Sequence, residues 1–226
     1  MKYHKEILED IYNMYHNERI GYNARCSDCK LGLSNKNKKI VQGPVPIFHV
    51  GENYLNNDFR LVLIGKVAYG WADEVNLLWE KTFLNEENKI DDIKNIVENR
   101  VQELFYQGIT KYFKNLRDSL TSIFGNIDVA FDNIAITNYV HCNNGSVADN
   151  ISQKTINYCA NKNQNGFIHK ELEILKPSHV ISLTPDWKYT RYMQNIEWNY
   201  KEIYHPSKPG RSKESLTRDI ENFLKK

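Results

Sequence analysis

The chain has 226 residues, 41% hydrophobic and 26% charged, with a formal net charge of +2, enough for one large domain with a sizeable buried core. Its longest apolar runs are strand-sized, which excludes a membrane-spanning helix. A near-neutral total advertises no broad nucleic-acid surface but leaves room for a local basic patch.

The spacing of Ile7, Leu8, Ile11, Tyr12 and Tyr15 predicts an amphipathic helix over residues 3–19. Cys26-x2-Cys29 follows in a loop. The run from Asp58 to Gly65 reads as a buried strand ending at a glycine. Residues 77–124 are helical in pattern and charge-rich, with an apolar stripe of Ile93, Ile96, Val97, Val101, Leu104 and Phe105. A second strand spans Asn133 to Val140. Helical segments flank Cys159 and cover Ile168–Leu175, which Pro177-Ser178 stops before a third strand, His179 to Thr184. A short fourth strand, Lys201–Tyr204, runs into His205-Pro206-Ser207, and Ser212 caps a last helix with Leu216, Ile220, Phe223 and Leu224 inward.

Strands alternating with helices predict one domain over residues 1–226. The expected architecture is a three-layer α/β/α sandwich around a central, mainly parallel four-stranded sheet. Ligands of such sheets bind beyond the carboxyl ends of the strands. The site is therefore expected from the loops Gly65–Gly70, Asn138–Cys142, Thr184–Trp187 and His205–Ser207.

All four cysteines fall into two pairs, Cys26-x2-Cys29 and Cys142-x16-Cys159. The chain starts Met-Lys-Tyr-His-Lys-Glu with no apolar signal segment, so a disulfide framework is disfavoured and a cytoplasmic location expected. The close first pair favours metal or redox chemistry. Four unlinked thiols are the plain alternative. A redox dithiol would leave Cys142 and Cys159 unexplained, and no glycine-rich phosphate loop supports a nucleotide-binding protein. Lys208, Arg211 and Lys213 gather at the start of the last helix, either as a phosphate contact or as a solvated turn. The 14 Tyr and 4 Trp serve core packing or base stacking.

The loops resemble those of the uracil-DNA glycosylase superfamily, closest to its iron–sulfur, family 4-like branches. Cys26-x2-Cys29 followed by Val41-Gln42-Gly43 is similar to the N-terminal cysteine pair and Val-x-Gly turn of that family. Leu61-Val62-Leu63-Ile64-Gly65 leads into the place of the first catalytic motif. Ile136-Thr137-Asn138-Tyr139-Val140-His141-Cys142 resembles Ile-Thr-Asn-x-Val-Lys-Cys, Cys159 falls where the fourth cluster ligand belongs, and His205-Pro206-Ser207 matches the second catalytic motif. The matches span residues 26 to 207; the segment at about 77–124 is longer than the family leads one to expect and reads as a helical insertion.

The resemblance implies a DNA-binding enzyme that flips uracil or another altered pyrimidine out of DNA and hydrolyses its N-glycosidic bond. It also implies a monomeric, nucleoid-associated protein with DNA as partner and no membrane. Cys26, Cys29, Cys142 and Cys159 would hold a structural four-iron, four-sulfur cluster, with a structural zinc as the alternative. His205 would donate a hydrogen bond to the departing base, Asn138 would read its edge, and Ser207 with Lys208, Arg211 and Lys213 would contact phosphate. The first motif departs from the family. Lys66 stands where one branch has Glu, and Val67 where another has Asp. Asp73 and Glu74 lie just beyond as substitute carboxylates, or as a solvated helix start. Tyr69 matches a tyrosine that, in one branch, crowds the pyrimidine C5 position. This departure leaves open a glycosylase for bulky modified cytosines of viral DNA, acting in antiviral defence, and a non-catalytic DNA-binding member.

Overall fold

The run Leu61-Val62-Leu63-Ile64 is fully buried, as a parallel strand covered on both faces requires. The computed structural model describes residues 5–17, 42–44, 49–67, 95, 99–100, 102–108, 110–143, 153–161, 166–194 and 196–225. Its strands, in chain order, are β1 (Gln42–Pro44), β2 (His49–Val50), β3 (Leu61–Val67), β4 (Ile134–Val140), β5 (Cys142–Asn143), β6 (His179–Ser182) and β7 (Asn199–Glu202). Its α-helices are α1 (Lys5–Asn17), α2 (Lys111–Phe124), α3 (Ile127–Asn133), α4 (Gln153–Ala160), α5 (Phe167–Leu175), α6 (Trp187–Thr190) and α7 (Lys213–Leu224).

The central sheet has the order β2-β4-β3-β6-β7. The four expected strands pair in parallel throughout, with Gly65 level with Asn138 and Ser182 level with Glu202. The sheet has five strands rather than the expected four. The fifth, β2, runs antiparallel along the outer edge of β4, and its two residues are too few to carry an alternation signal. His49 holds this edge: its Nε2 donates to the Phe131 carbonyl of α3 at 2.7 Å.

Helices cover both faces. On one, α5 packs against α1 and α4, and α4 and α5 pack against β4; on the other, α2 packs against α3 and α7. The five apolar residues expected on α1 are all buried. A buried carboxylate fastens that layer. Glu171 of α5 accepts from Tyr15 of α1, accepts from Thr137 Oγ1 of β4 at 2.6 Å, and lies 3.1 Å from His141 Nε2. Two donors from separate elements, α1 and β4, compensate a carboxyl group that would otherwise be costly to bury.

Of the segment expected as an insertion, α2 belongs to the layered core. Thr110 caps it through Phe113 N, and Gly125 ends it at φ 80°, a left-handed conformation suited to glycine. Leu104 and Phe105 of the stripe are buried, with the Phe105 and Phe113 rings 4.7 Å apart. Ile93, Ile96, Val97 and Val101 lie outside the described residues. Ser212 caps α7 as expected, accepting from Ser215 N at 3.2 Å. Among the described residues no helix is long and apolar enough to cross a membrane.

Candidate functional site

His205 follows β7 directly, and the next residues fold back on it. Ser207 brings its backbone N to 3.3 Å and its Oγ to 2.8 Å from His205 Nδ1. A backbone N–H can only donate, so Nδ1 accepts and the ring proton sits on Nε2. The loop thereby selects the tautomer that offers a donor on the far side of the ring. Two side chains of α2 complete the support. Tyr112 lies against the imidazole with centroids 4.8 Å apart, and Asn115 Nδ2 donates to the Pro206 carbonyl at 2.8 Å. Burial pushes the Tyr112 hydroxyl well above the ordinary tyrosine range, so an uncharged phenol flanks the histidine.

Asn138 lies towards the carboxyl end of β4, half-buried, level with Gly65 on β3. Partners level in a parallel pair point to the same face, and here the missing side chain matters. A Cβ on Gly65 would sit 2.3 Å from Asn138 Oδ1, so the amide occupies the space that glycine leaves open. Three inter-strand steps of the sheet separate β4 from β7, roughly 14 Å at the backbone.

The remaining expected residues distribute as follows. Lys66 is offset by one residue from Gly65, so it takes the opposite face, and its Nζ stands 5.7 Å from the ring centroid of Tyr189 on α6. The strand therefore sends Lys66 away from the face of Asn138. Val67 pairs with Val140 at the end of β3. Tyr69, Asp73 and Glu74 lie outside the described residues. Of the three cations expected at phosphate, Arg211 is engaged with Asp219 of α7 at 2.6 Å and its side chain is only 10% exposed. Lys208 Nζ lies 3.3 Å from the ring centroid of Tyr204, and Lys213 opens α7.

Two of the four cysteines, Cys26 and Cys29, also lie outside the described residues. Cys142 stands on β5, which pairs antiparallel with β1 through Pro44. Cys159 is buried on α4, the helix packed against β4. Among the described residues no group of three or more His, Cys, Asp or Glu is disposed to hold a metal ion.

Sequence reasoning passed over Tyr112 and Asn115. Tyr112 and Asn115 stand three apart, so they share a helix face, but nothing in their spacing links that face to His205. No protein-family model matches the chain, and a comparison with curated proteins finds no match either.

Proposed function

We propose that the chain is a DNA glycosylase of the uracil-DNA glycosylase type, acting on uracil or another altered pyrimidine flipped out of DNA. The observation that carries this reading is the pairing of two groups at the carboxyl ends of β4 and β7. One is an amide seated over Gly65; the other is an imidazole whose loop leaves its proton on Nε2. An amide offers donor and acceptor to a pyrimidine edge. A neutral imidazole N–H meets the charge that develops on the base oxygen as the glycosidic bond breaks.

In this mechanism the flipped base enters between Asn138 and His205. Asn138 reads the edge, and the rigid His-Pro-Ser turn presents Nε2–H to the ring oxygen of the leaving base. Ser207, Lys208 and Lys213 contact the flanking phosphates, and Arg211 contributes through the α7 turn it fastens. Asp73 and Glu74 are the candidates to orient the attacking water, in place of the carboxylate missing at Lys66 and Val67. Tyr69 limits bulk at the pyrimidine C5 position.

Cys26, Cys29, Cys142 and Cys159 would hold a structural four-iron, four-sulfur cluster, thiolates being its standard ligands. The pairing of β1 with β5 supports this, because it brings the segment that follows Cys29 alongside Cys142. Four thiolates suit a structural zinc equally, and metal analysis separates the two.

The test is a panel of labelled duplexes carrying uracil, deaminated purines, or hydroxymethylated and glucosylated cytosines, followed by alkaline cleavage of abasic sites. Cleavage after uracil is the expected result. Cleavage confined to the modified cytosines would move the protein to defence against viral DNA. DNA binding with no cleavage anywhere would leave a non-catalytic member. His205→Ala is expected to lower excision by roughly 10²–10³-fold, the usual loss for one such donor; unchanged cutting would remove His205 from the mechanism.

A further inference from the structure

Trp187 is 61% exposed and Tyr204 is 51% exposed, in a protein whose other large aromatics are mostly buried or partly buried among the described residues. Both stand just beyond the sheet on the edge where the proposed site opens: Trp187 follows β6, and Tyr204 follows β7, the strand beside it. A single exposed apolar residue needs no explanation. Two large exposed aromatics, Trp187 at the start of α6 and Tyr204 just after β7, in a region that also carries lysines, do. Lys208 covers the Tyr204 ring. Beside Trp187, Lys188 and Lys66 both bring Nζ to the Tyr189 ring, at 5.3 Å and 5.7 Å from its centroid.

The surroundings say what this edge would hold. Asp186 caps the turn through Lys188 N at 3.1 Å and lies 3.7 Å from Lys188 Nζ, so the Trp187 backbone is fixed while its indole faces solvent. Lys66 and Lys188 come from different elements, β3 and α6, and converge on one ring. Aromatic planes flanked by ammonium groups match the alternation of bases and phosphates in an unpaired nucleic-acid strand. We propose that Trp187 is a stacking platform for an unpaired base of bound DNA, with Lys188 and Lys66 on the neighbouring phosphate and Tyr204 continuing the platform towards His205. The inference rests on the glycosylase reading for its choice of DNA, but not on catalysis.

The experiment measures binding rather than turnover. Fluorescence anisotropy would follow a labelled single strand, and a labelled duplex holding one abasic-site analogue, with wild type, Trp187→Ala, Trp187→Phe and Lys188→Gln. Trp187→Ala is expected to weaken binding of both probes roughly 10- to 100-fold, and Trp187→Phe to recover most of it, since stacking on any aromatic plane serves. Lys188→Gln is expected to reduce the salt slope by about one phosphate contact. Wild-type affinity in Trp187→Ala would overturn the proposal, as would a Phe variant no better than Ala. An alanine variant that binds DNA normally and changes only self-association, by sedimentation, would overturn it in favour of a protein contact. Base excision by wild type, together with unchanged binding by Trp187→Ala, would sink the platform and leave the glycosylase standing. DNA binding that depends on Trp187, with no excision of any base, would do the reverse.

Discussion

In the proposed role of base reader, Asn138 would be only as good as the surface it rests on, and that surface is the bare Cα of Gly65. The contact is unusual in pitting the far end of one side chain against a missing one, so a new Cβ would push the amide aside without touching the strand backbone closely; its nearest backbone neighbour, the Thr137 carbonyl, is 3.6 Å away. Gly65→Ala should therefore fold with wild-type melting behaviour yet lose function. Displacing a positioned group by about an ångström costs on the order of 10²-fold in rate. Excision assays alongside thermal melts check this. A variant that melts early, or one that cuts normally, would contradict the arrangement. Residues of this kind are partly legible in a sequence. Gly65 at a strand end and His205 before Pro206 both stand out, whereas the dependence of Asn138 on Gly65 exists only through strand register, which no local pattern encodes. Lys66 shows the same limit: its neighbour faces one side of the sheet and it faces the other.

Elements carry their own electrostatics, and β2 is the clearest case. Its attachment to α3 runs through His49, whose pKa burial lowers to about 4 despite the hydrogen bond to the Phe131 carbonyl. The folded state thus keeps this histidine neutral, while the unfolded chain protonates it near 6.5. Stability from this group is fully present above about pH 6.5 and drains away as the pH falls towards 4, because only the unfolded chain takes up the proton. Of the roughly 3 kcal/mol that such a shift represents, about 2 kcal/mol should be gone by pH 4.5. His49→Gln keeps an N–H donor but cannot titrate. Urea unfolding at pH 7 and pH 4.5 should show a smaller pH difference in this variant than in wild type; equal differences would rule His49 out as the cause. The long elements were visible beforehand, since α1, β3, β4 and α7 carry clean periodicities. The short ones were not: β2, α3 and α6 are held by partners distant in sequence, as Phe131 holds His49.

At the scale of the whole molecule, the layers are stitched by few but well-compensated contacts, Glu171 with Tyr15, Thr137 and His141 foremost. The proposed cluster would add a stitch between the start of the chain and its middle. Anaerobically purified protein should contain about four iron and four sulfide per chain, and Cys159→Ser should lower both together with the melting temperature. One zinc per chain and no sulfide would install the alternative, and metal-free protein of undiminished stability would refute both. The layered α/β/α arrangement was legible because strand and helix patterns alternate along the chain. The fate of the cysteines was not, since their spacing is compatible with more than one centre.

The sheet order makes the scaffold a ruler. Asn138 and His205 sit on opposite flanks of β3 and β6, so the gap between them is counted out in hydrogen-bonded strand spacings, the least adjustable lengths in a fold. A pocket built that way, as the glycosylase reading proposes, would not widen to admit a larger guest. New substrates would have to be won by rewriting the segments that follow the strand ends, those of Trp187 and Tyr204 among them, with the strands themselves left alone.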